Sequence, residues 1–428
     1  MNIYGFIILS ALLAEYTLQL AADQLNLKAL RHEVPEQFQD VFPADRYRHA
    51  QDYLRATTRL GRLTATISLM VTLVFWFSGG FNHLDLLVRS WQLPPLPSGL
   101  CYIGLLLLLK LLLGLPFSFY STFVIEARFG FNKTTMATFA GDRLKGLLLA
   151  VLLVGPLLAG ILLFLEKTGP AAWLYCWLIT TVVLLAGQFI APSWILPLFN
   201  KFTPLDEGPL RTAILAYARS VNFPLDNVFI IDGSRRSSKA NAFFTGFGKH
   251  RRIALFDTLV GQHTAEELVA ILAHEIGHYR KKHLLKNLLL SIAHIGIMFY
   301  LLQQFISRPS LFAAFYLDHL SIYAGVVLFA ILYTPVEFFL ALGLQHLSRK
   351  DEYEADAFAA QTCGNPEPLI AALKKLAAGN LVNLTPHPFY VLLHYSHPPL
   401  LKRIDALRST NNRQHHVVKP RSGEPDVQ

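Results

Sequence analysis

Seven long apolar segments constrain the fold of this chain more than any other feature. Each is close to the ~20 residues that an α-helix needs to cross the hydrocarbon core of a bilayer. Only 16% of the 428 residues are charged, whereas soluble domains average about 25%. We therefore predict an all-α membrane protein with seven transmembrane helices, at about residues 3–22, 64–81, 98–120, 145–165, 171–196, 284–306 and 321–345.

Lysine and arginine alternate between scarce and abundant in successive connecting segments. The connections after the second, fourth and sixth spans each carry one basic residue, respectively Arg89, Lys167 and Arg308, whereas the other connections are basic. Because cytoplasmic loops carry the excess of Lys and Arg, we predict an outside N-terminus and long polar segments in the cytoplasm. The formal net charge of +9 then reflects membrane orientation, so we expect the lipid bilayer and no nucleic acid as a partner.

One short motif carries the strongest chemical signal. The sequence HEIGH places His274 and His278 four residues apart, on one face of a predicted helix, where both imidazoles can bind one zinc ion. Glu275 would lie beside the ion as the base for a water molecule, whose pKa zinc lowers towards ~7. The alternative is a helix with two hydrogen-bonded structural histidines. The small neighbours Ala273 and Gly277 favour the zinc interpretation.

A hydrolytic zinc site needs a third protein ligand and one open position. The segment SRKDEYEAD at 348–356 follows the seventh span, and Glu352 and Asp356 in it are four residues apart on one helical face. One carboxylate can bind zinc while the other accepts the free ring N–H of a ligand histidine. The spacing alone does not choose among Glu352, Glu354 and Asp356. The alternative is a solvated acidic cluster paired with neighbouring basic residues.

Five motifs in a fixed order resemble one protein family. They are NKFTPL at 200–205, SSKANAFFTGFG at 237–248, HEIGH at 274–278, SRKDEYEADAFA at 348–359 and HYSHPPLLKRIDAL at 394–407. Together with the apolar runs, they make the chain similar to the zinc-dependent type 1 CAAX prenyl protease family, membrane metalloproteases that cut prenylated C-terminal motifs. The resemblance implies a helical barrel around an internal chamber, a mainly α-helical catalytic domain and one Zn²⁺ ion per chain.

The resemblance also implies roles for individual residues. The implied zinc ligands are His274, His278 and Glu352, and the implied general base is Glu275. His397 would stabilise the oxyanion, and Asp356 and Arg403 would lie behind the ligands. The implied substrate strand contains Asn241, Ala242, Phe243 and Phe244. Without the resemblance, His397 would be an ordinary loop histidine. Asn241 is then either a turn residue or the start of a strand that pairs with an extended peptide.

The polar and apolar segments divide the chain into five predicted parts. They are the first five spans with basic loops at 1–199, a soluble catalytic segment at 200–283, spans six and seven at 284–346, C-terminal catalytic helices at 347–408 and a disordered tail at 409–428. In the second part we predict a small β-hairpin around a Gly/Lys/His turn. Thr264 and Glu267 fit a capping box at the start of the HEIGH helix.

The predicted function is that of an integral membrane zinc endopeptidase. Its substrates would be peptides or proteins that are prenylated or membrane-associated, from which it removes C-terminal tripeptides. The alternatives are a quality-control protease without a prenyl requirement, and a seven-span transporter or receptor with regulatory zinc. The short loop after span six and the absence of a dilysine-type signal favour a bacterial inner membrane over the endoplasmic reticulum, with the active site toward the cytoplasm.

Overall fold

The computed structural model describes residues 1–225, 227–245 and 252–417, and most of these residues are helical. The α-helices are α1 (Ile3–Lys28), α2 (Ala44–Phe77), α3 (Gly80–Ser90), α4 (Pro95–Tyr120), α5 (Met136–Leu149), α6 (Gly155–Lys167), α7 (Ala172–Ile190), α8 (Leu196–Phe199), α9 (Pro209–Ser220), α10 (Asp257–Val260), α11 (Ala265–Arg280), α12 (His283–Phe305), α13 (Pro309–Ala314), α14 (Ile322–Cys363), α15 (Glu367–Gly379), α16 (Pro388–His394) and α17 (Leu400–Val417). Short π-helical segments extend α4, α5 and α7 at their C-terminal ends, at Ser121–Glu126, Ala150–Val154 and Ala191–Ile195.

Seven helical stretches in the described part of the chain are long and apolar enough to cross a membrane, which confirms the predicted number. They form a closed ring, because each of α1, α2, α4, α6, α7, α12 and α14 contacts the next, and α14 contacts α1. Only 6–22% of the most apolar window of each span is buried within the protein. A solid bundle would bury the inner face of every helix, so this low burial indicates a hollow ring and agrees with the predicted chamber.

One end of the ring is filled by side chains. A Cβ atom at Gly99 of α4 would lie only 2.9 Å from the Cβ of Tyr323 in α14, so these two helices meet across the ring. The surrounding cluster of buried residues includes Tyr102 and Phe315. Glu352 lies 30 residues beyond the start of α14, which is about 45 Å along a helix. The predicted metal centre is therefore at the opposite end of the ring from this closure.

A four-stranded sheet lies between the fifth span and the HEIGH helix. Its strands are β1 (Phe202–Pro204), β2 (Asn227–Ile231), β3 (Ala242–Thr245) and β4 (Arg252–Phe256), in the spatial order β1-β2-β4-β3. The antiparallel pairing of β3 with β4 confirms the predicted hairpin, whose turn at 246–251 is outside the described residues. The sequence did not predict β1, antiparallel to β2, or the parallel pairing of β2 with β4.

The seventh span and the third-ligand segment belong to one helix. α14 runs without interruption for 42 residues, through Pro335 and on to Cys363, so the predicted boundary at 346–347 lies inside it. Apolarity stops near residue 345, but the next residues are mostly good helix formers. The last helix also corrects one prediction: α17 continues to Val417, whereas disorder was predicted from residue 409. The rest of that predicted tail is outside the described residues.

Candidate metal centre

The HEIGH helix, α11, begins as the sequence predicts. Thr264 accepts from the backbone N–H of Glu267, whose side chain in turn accepts from the Thr264 N–H, which completes the capping box. The helix packs against α9, α14 and α15. A Cβ atom at Gly277 would lie 3.0 Å from both Cα and O of Ala355 in α14. Only glycine allows this approach of the two backbones without displacement, and it brings the acidic segment of α14 against the histidine pair.

Three predicted ligands converge where α11 and α14 meet. The Nε2 atoms of His274 and His278 are 3.2 Å apart, and the Glu352 carboxylate oxygens lie 3.5 Å from the first and 3.3 Å from the second. With bonds of about 2.0–2.1 Å, a tetrahedral zinc ion needs ligand atoms about 3.4 Å apart. These spacings, and the set of two nitrogen donors and one oxygen donor, fit a zinc ion. We therefore assign the candidate metal centre to these three residues.

Asp356 and Arg403 lie directly behind the ligands. Nδ1 of His274 is 2.9 Å from Oδ1 of Asp356, and a carboxylate this close favours the proton on Nδ1, which leaves Nε2 free as a metal ligand. Arg403 donates to both oxygens of Asp356, at 2.7 and 2.8 Å, and its guanidinium lies 3.2 Å from Glu352. The structure thus brings Arg403 to both carboxylates.

A cleft of about 430 Å³ opens beside the ligands. Its lining includes the ligands His274 and Glu352, the predicted base Glu275, and the strand residues Asn241 and Ala242. Burial raises the pKa of the Glu275 carboxyl above its ordinary value. A carboxylate with a raised pKa is a stronger base, which suits proton transfer near neutral pH.

His397 lies at the mouth of the same cleft, with its side chain 64% exposed. Its Nε2 atom is 3.3 Å from Oε1 of Glu352. Its Nδ1 atom is 2.9 Å from Oγ of Ser396, a partner that the sequence reasoning missed. If the serine hydroxyl donates to Nδ1, the ring proton is on Nε2 and points toward the metal ligands.

The predicted substrate strand forms the edge of the sheet. β3, which contains Ala242, Phe243 and Phe244, pairs with β4 on one side and has no strand on its other side among the described residues. Asn241 precedes it and accepts from the Ala242 N–H at 2.9 Å. An edge strand in a cleft can add one further strand, such as an extended peptide.

Asn380 holds the chain just before this strand and was not predicted. Its side-chain amide donates to the carbonyl of Ala240 and accepts from the N–H of the same residue, both at 3.1 Å. Both residues line the cleft. The pairing joins segments 140 residues apart, and no local pattern in the sequence marks it, so sequence reasoning had no signal for it.

Comparisons with known proteins find matches along almost the whole chain. Residues 23–201 match the family described as "CAAX prenyl protease N-terminal, five membrane helices", and residues 204–411 match "Peptidase family M48". CAAX prenyl protease 1 of Saccharomyces cerevisiae is 35% identical over 88% of this chain and 88% of its own length. A homolog from Oryza sativa is 41% identical over 70% of this chain and 71% of its own length.

A solved structure matches as well. The crystal structure of S. mikatae Ste24p is 33% identical, with a TM-score of 0.90 over 95% of this chain and 99% of that one. The likeness covers both the ring of spans and the segment that holds the metal centre. The matched family models and the full-length relatives together show that the chain is a membrane metalloprotease. The chain therefore belongs to peptidase family M48, among the members that carry the CAAX prenyl protease N-terminal region of five membrane helices.

Proposed function

We propose that this protein is a zinc endopeptidase that removes C-terminal tripeptides from prenylated or other membrane-associated substrates. The observation that carries the proposal is a single cleft in which the His274, His278 and Glu352 cluster, the base Glu275 and the edge strand β3 meet. The relatives' printed name, CAAX prenyl protease 1, supports the substrate class. The cleft lies at the end of a hollow ring of spans, which suits a peptide with a lipid attached.

The proposed chemistry assigns one task to each group. When bound, zinc polarises the carbonyl of the scissile bond and lowers the pKa of a water molecule. Glu275 takes the proton from that water and passes it to the leaving amine. His397, protonated on Nε2, donates to the oxyanion that develops on the carbonyl oxygen. Arg403 holds the Glu352 carboxylate in place.

Substrate binding is proposed to extend the sheet. The peptide lies along β3 as an added strand and exchanges backbone hydrogen bonds with Ala242 and Phe244, or with Phe243 in the other register. Asn241 anchors the peptide backbone at the start of this strand. The backbone hydrogen bonds of strand addition provide affinity that does not depend on the side chains of the peptide. The lipid or the free C-terminus must therefore supply further selectivity.

A peptide-cleavage assay tests the proposed function. Purified protein is incubated with a farnesylated peptide that ends in Cys-aliphatic-aliphatic-X and with the same peptide unmodified, with and without a zinc chelator. The products are then mapped by mass spectrometry. We expect loss of the last three residues from the farnesylated peptide, and no cleavage with chelator. Equal cleavage of both peptides, at other positions, would favour a quality-control protease instead.

The variant Glu275→Gln tests the assigned base in the same assay. Glutamine keeps the size of the side chain but cannot accept the proton. We expect zinc content equal to wild type by metal analysis and a loss of cleavage of at least about 100-fold. Normal cleavage by this variant would disprove the mechanism. A transporter or receptor with regulatory zinc needs no base. Under that alternative the wild-type protein would cleave neither peptide, and Glu275→Gln would leave its transport or signalling function intact.

We further propose that the protein is in a bacterial inner membrane with the metal centre toward the cytoplasm. The alternation of basic loops supports this orientation, because the segments that carry His274, Glu352 and His397 all lie on the basic side. Reporter fusions test it: a fluorescent protein joined after residue 408 should mature, and an alkaline phosphatase joined after residue 308 should be active. The opposite pattern would invert the proposed topology.

A further inference from the structure

The two histidines of the metal centre have different partners. Nδ1 of His274 lies 2.9 Å from a carboxylate oxygen, Oδ1 of Asp356. Nδ1 of His278 instead lies 3.0 Å from Nδ1 of a third histidine, His283. The rings of His278 and His283 are nearly perpendicular, at 72°, with centroids 5.1 Å apart. Nδ1 of His278 therefore has an imidazole ring as its partner, where Nδ1 of His274 has a carboxylate.

His283 is buried and has acidic partners on its far side. Its side chain is 4% exposed, and its Nε2 atom lies 3.3 Å from Oε2 of Glu354 and 3.6 Å from Oδ1 of Asp351. Asp351 is equally buried and forms an ion pair with Lys286. Both carboxylates are on α14, on either side of the ligand Glu352 in the sequence.

The turn between α11 and α12 sets this position. α11 ends at Arg280 and Lys281 is its C-cap, and Lys282 has φ +59°, in the left-handed region that a non-glycine residue rarely adopts. The left-handed conformation of Lys282 ends the helical path of α11, and α12 begins at the next residue, His283. The first turn of the sixth span is thereby held against both the HEIGH helix and α14.

Only one assignment of ring protons satisfies all of these atoms together with a metal ion. Nε2 of His278 must be unprotonated to bind metal, so its proton is on Nδ1. That N–H donates to Nδ1 of His283, which must then be unprotonated. The remaining proton of His283 is on Nε2 and donates to the carboxylate of Glu354 at 3.3 Å, with Asp351 3.6 Å away. The ring N–H of His278 thus meets an acceptor on His283, and the ring N–H of His283 meets one on Glu354.

We propose that His283 is a positioning residue of the metal centre, which holds His278 in the ring orientation and tautomer that bind the metal ion. Partners behind metal ligands contribute in this way, and their loss lowers metal affinity by about 10–100-fold. His283 also couples the centre to the sixth span, because it belongs to α12. This role concerns metal affinity, so it stands apart from the proposed substrate and cleavage chemistry.

The same side chains offer a second interpretation, which the structure disfavours. His283, Asp351 and Glu354 bring one ligand atom each within 4.8 Å of one another, as a cation site would. However, the ammonium group of Lys286 is bonded to Asp351 and supplies the positive charge there. A second cation would have to displace it, so we assign the cluster to hydrogen bonding.

Zinc affinity of the purified full-length protein tests the proposal, measured by competition with a chromophoric chelator. His283→Leu removes the acceptor, and we expect zinc affinity to fall about 10–100-fold. His283→Asn places an amide oxygen near the position of Nδ1 and should restore most of the affinity. The matched control is His294→Leu, another histidine of α12, which contacts Tyr333 and Glu337 instead; its zinc affinity should equal that of wild type.

Two further measurements separate positioning from general damage. Thermal unfolding with excess chelator should be similar for His283→Leu and His294→Leu, since the proposed role needs bound metal. Wild-type zinc affinity in His283→Leu would overturn the proposal. So would a stoichiometry of two zinc ions per wild-type chain and one in His283→Leu, which would establish the cluster as a cation site.

Discussion

At the scale of single residues, the metal centre depends on side chains that touch no metal. Arg403 is 7% exposed and bridges two carboxylates, Asp356 and Glu352, that would repel each other without it. A buried arginine of this kind is costly to desolvate, and its planar fork compensates with several charge-assisted hydrogen bonds at once. The arrangement fixes the proposed ligand Glu352 directly and the proposed ligand His274 through Asp356.

Asn380 offers a residue-scale prediction about substrate binding. Asn380→Ala removes both hydrogen bonds to Ala240, so the chain that leads into β3 loses its anchor. We expect kcat/KM for peptide cleavage to fall about tenfold, a cost of about 1.4 kcal/mol, mainly through a higher KM. Zinc content should not change, because Asn380 contacts no ligand. Steady-state kinetics and metal analysis check both outcomes.

Two further variants make this prediction specific. Asn380→Asp can still accept from the Ala240 N–H but faces the Ala240 carbonyl with a second acceptor, so it should be at least as impaired as the alanine variant. Asn365, whose side chain accepts from the Glu367 N–H at the start of α15, is the matched control, and Asn365→Ala should keep the wild-type KM. An unchanged KM in Asn380→Ala would show that β3 does not need this anchor.

Glu267 gives a prediction of pH dependence. Burial alone would raise the pKa of this carboxyl, but hydrogen bonds from Lys375, Thr264 and His263 outweigh it and lower the pKa below its ordinary value of 4.5. A carboxyl whose pKa is lowered by folding stabilises the fold above its unfolded pKa. That stabilisation is lost as the pH falls through the folded pKa.

The variant Glu267→Gln should therefore be less stable than wild type by about 1–2 kcal/mol near pH 7. The difference should shrink as the pH falls below about 4.5, because the wild-type carboxyl then becomes neutral as well. Thermal unfolding in detergent at a series of pH values measures it. A difference in unfolding temperature that stays constant from pH 7 to pH 3 would contradict this account.

At the scale of elements, the contact between α11 and α14 decides the geometry of the centre. α11 carries two of the proposed ligands and α14 the third, and Gly277 sets the distance between the two backbones. Gly277→Ala adds a Cβ that meets backbone atoms of Ala355, which cannot rotate away. The two helices must then separate by a few tenths of an ångström.

We expect Gly277→Ala to lower the free energy of unfolding by about 1–3 kcal/mol and to weaken zinc binding at the same time. Chelator competition and thermal unfolding measure the two effects. The matched control is Gly146→Ala in α5, also a helical glycine, where a Cβ would meet nothing within 4 Å, so zinc affinity should equal that of wild type and stability should not fall. Unchanged zinc affinity in Gly277→Ala would show that helix spacing does not limit the centre.

The sequence predicted the secondary-structure elements better than it predicted their boundaries and the tertiary contacts between them. The apolar runs predicted the spans and HEIGH predicted the pair of neighbouring histidines on α11, because both signals are local: one depends on length, the other on spacing along a helix. The continuity of α14 was missed because the hydropathy changes at residue 345 while the helix does not. The pairs formed by β1 with β2, Asn380 with Ala240, and His278 with His283 depend on the tertiary fold, and a local pattern does not specify them.

At the scale of the whole molecule, the chain combines a hollow membrane ring with a compact catalytic end. The largest cluster of buried residues includes Phe38 from the segment between α1 and α2, Tyr47 from the start of α2, Ile253 of the sheet and Leu384 from the segment between α15 and α16. These come from separate parts of the sequence. The loops between spans therefore fold together with the catalytic segments, and the metal centre is fixed relative to the ring through α12 and α14.

The hollow ring makes a prediction about water access within the membrane. Glu337 and Phe339 are two residues apart on α14, so they point about 200° apart around the helix. Glu337 is 50% exposed and lies 3.2 Å from His294 of α12, which indicates the inner face. Phe339 is 70% exposed, and we expect this apolar side chain, on the opposite side of the helix from Glu337, to face lipid. A carboxylate in a span is stable only toward water or protein, so the inner face should be wet.

Single cysteines test this in a background where Cys101, Cys176 and Cys363 are serine. Glu337→Cys should react with a membrane-impermeant maleimide at least about tenfold faster than Phe339→Cys, because thiolates form in water and not in hydrocarbon. The comparison uses protein in liposomes, with zinc content as the check that both variants are folded. Equal, slow labelling of the two positions would mean that the interior of the ring is closed to water, and the route from membrane to metal centre would then have to lie outside the ring.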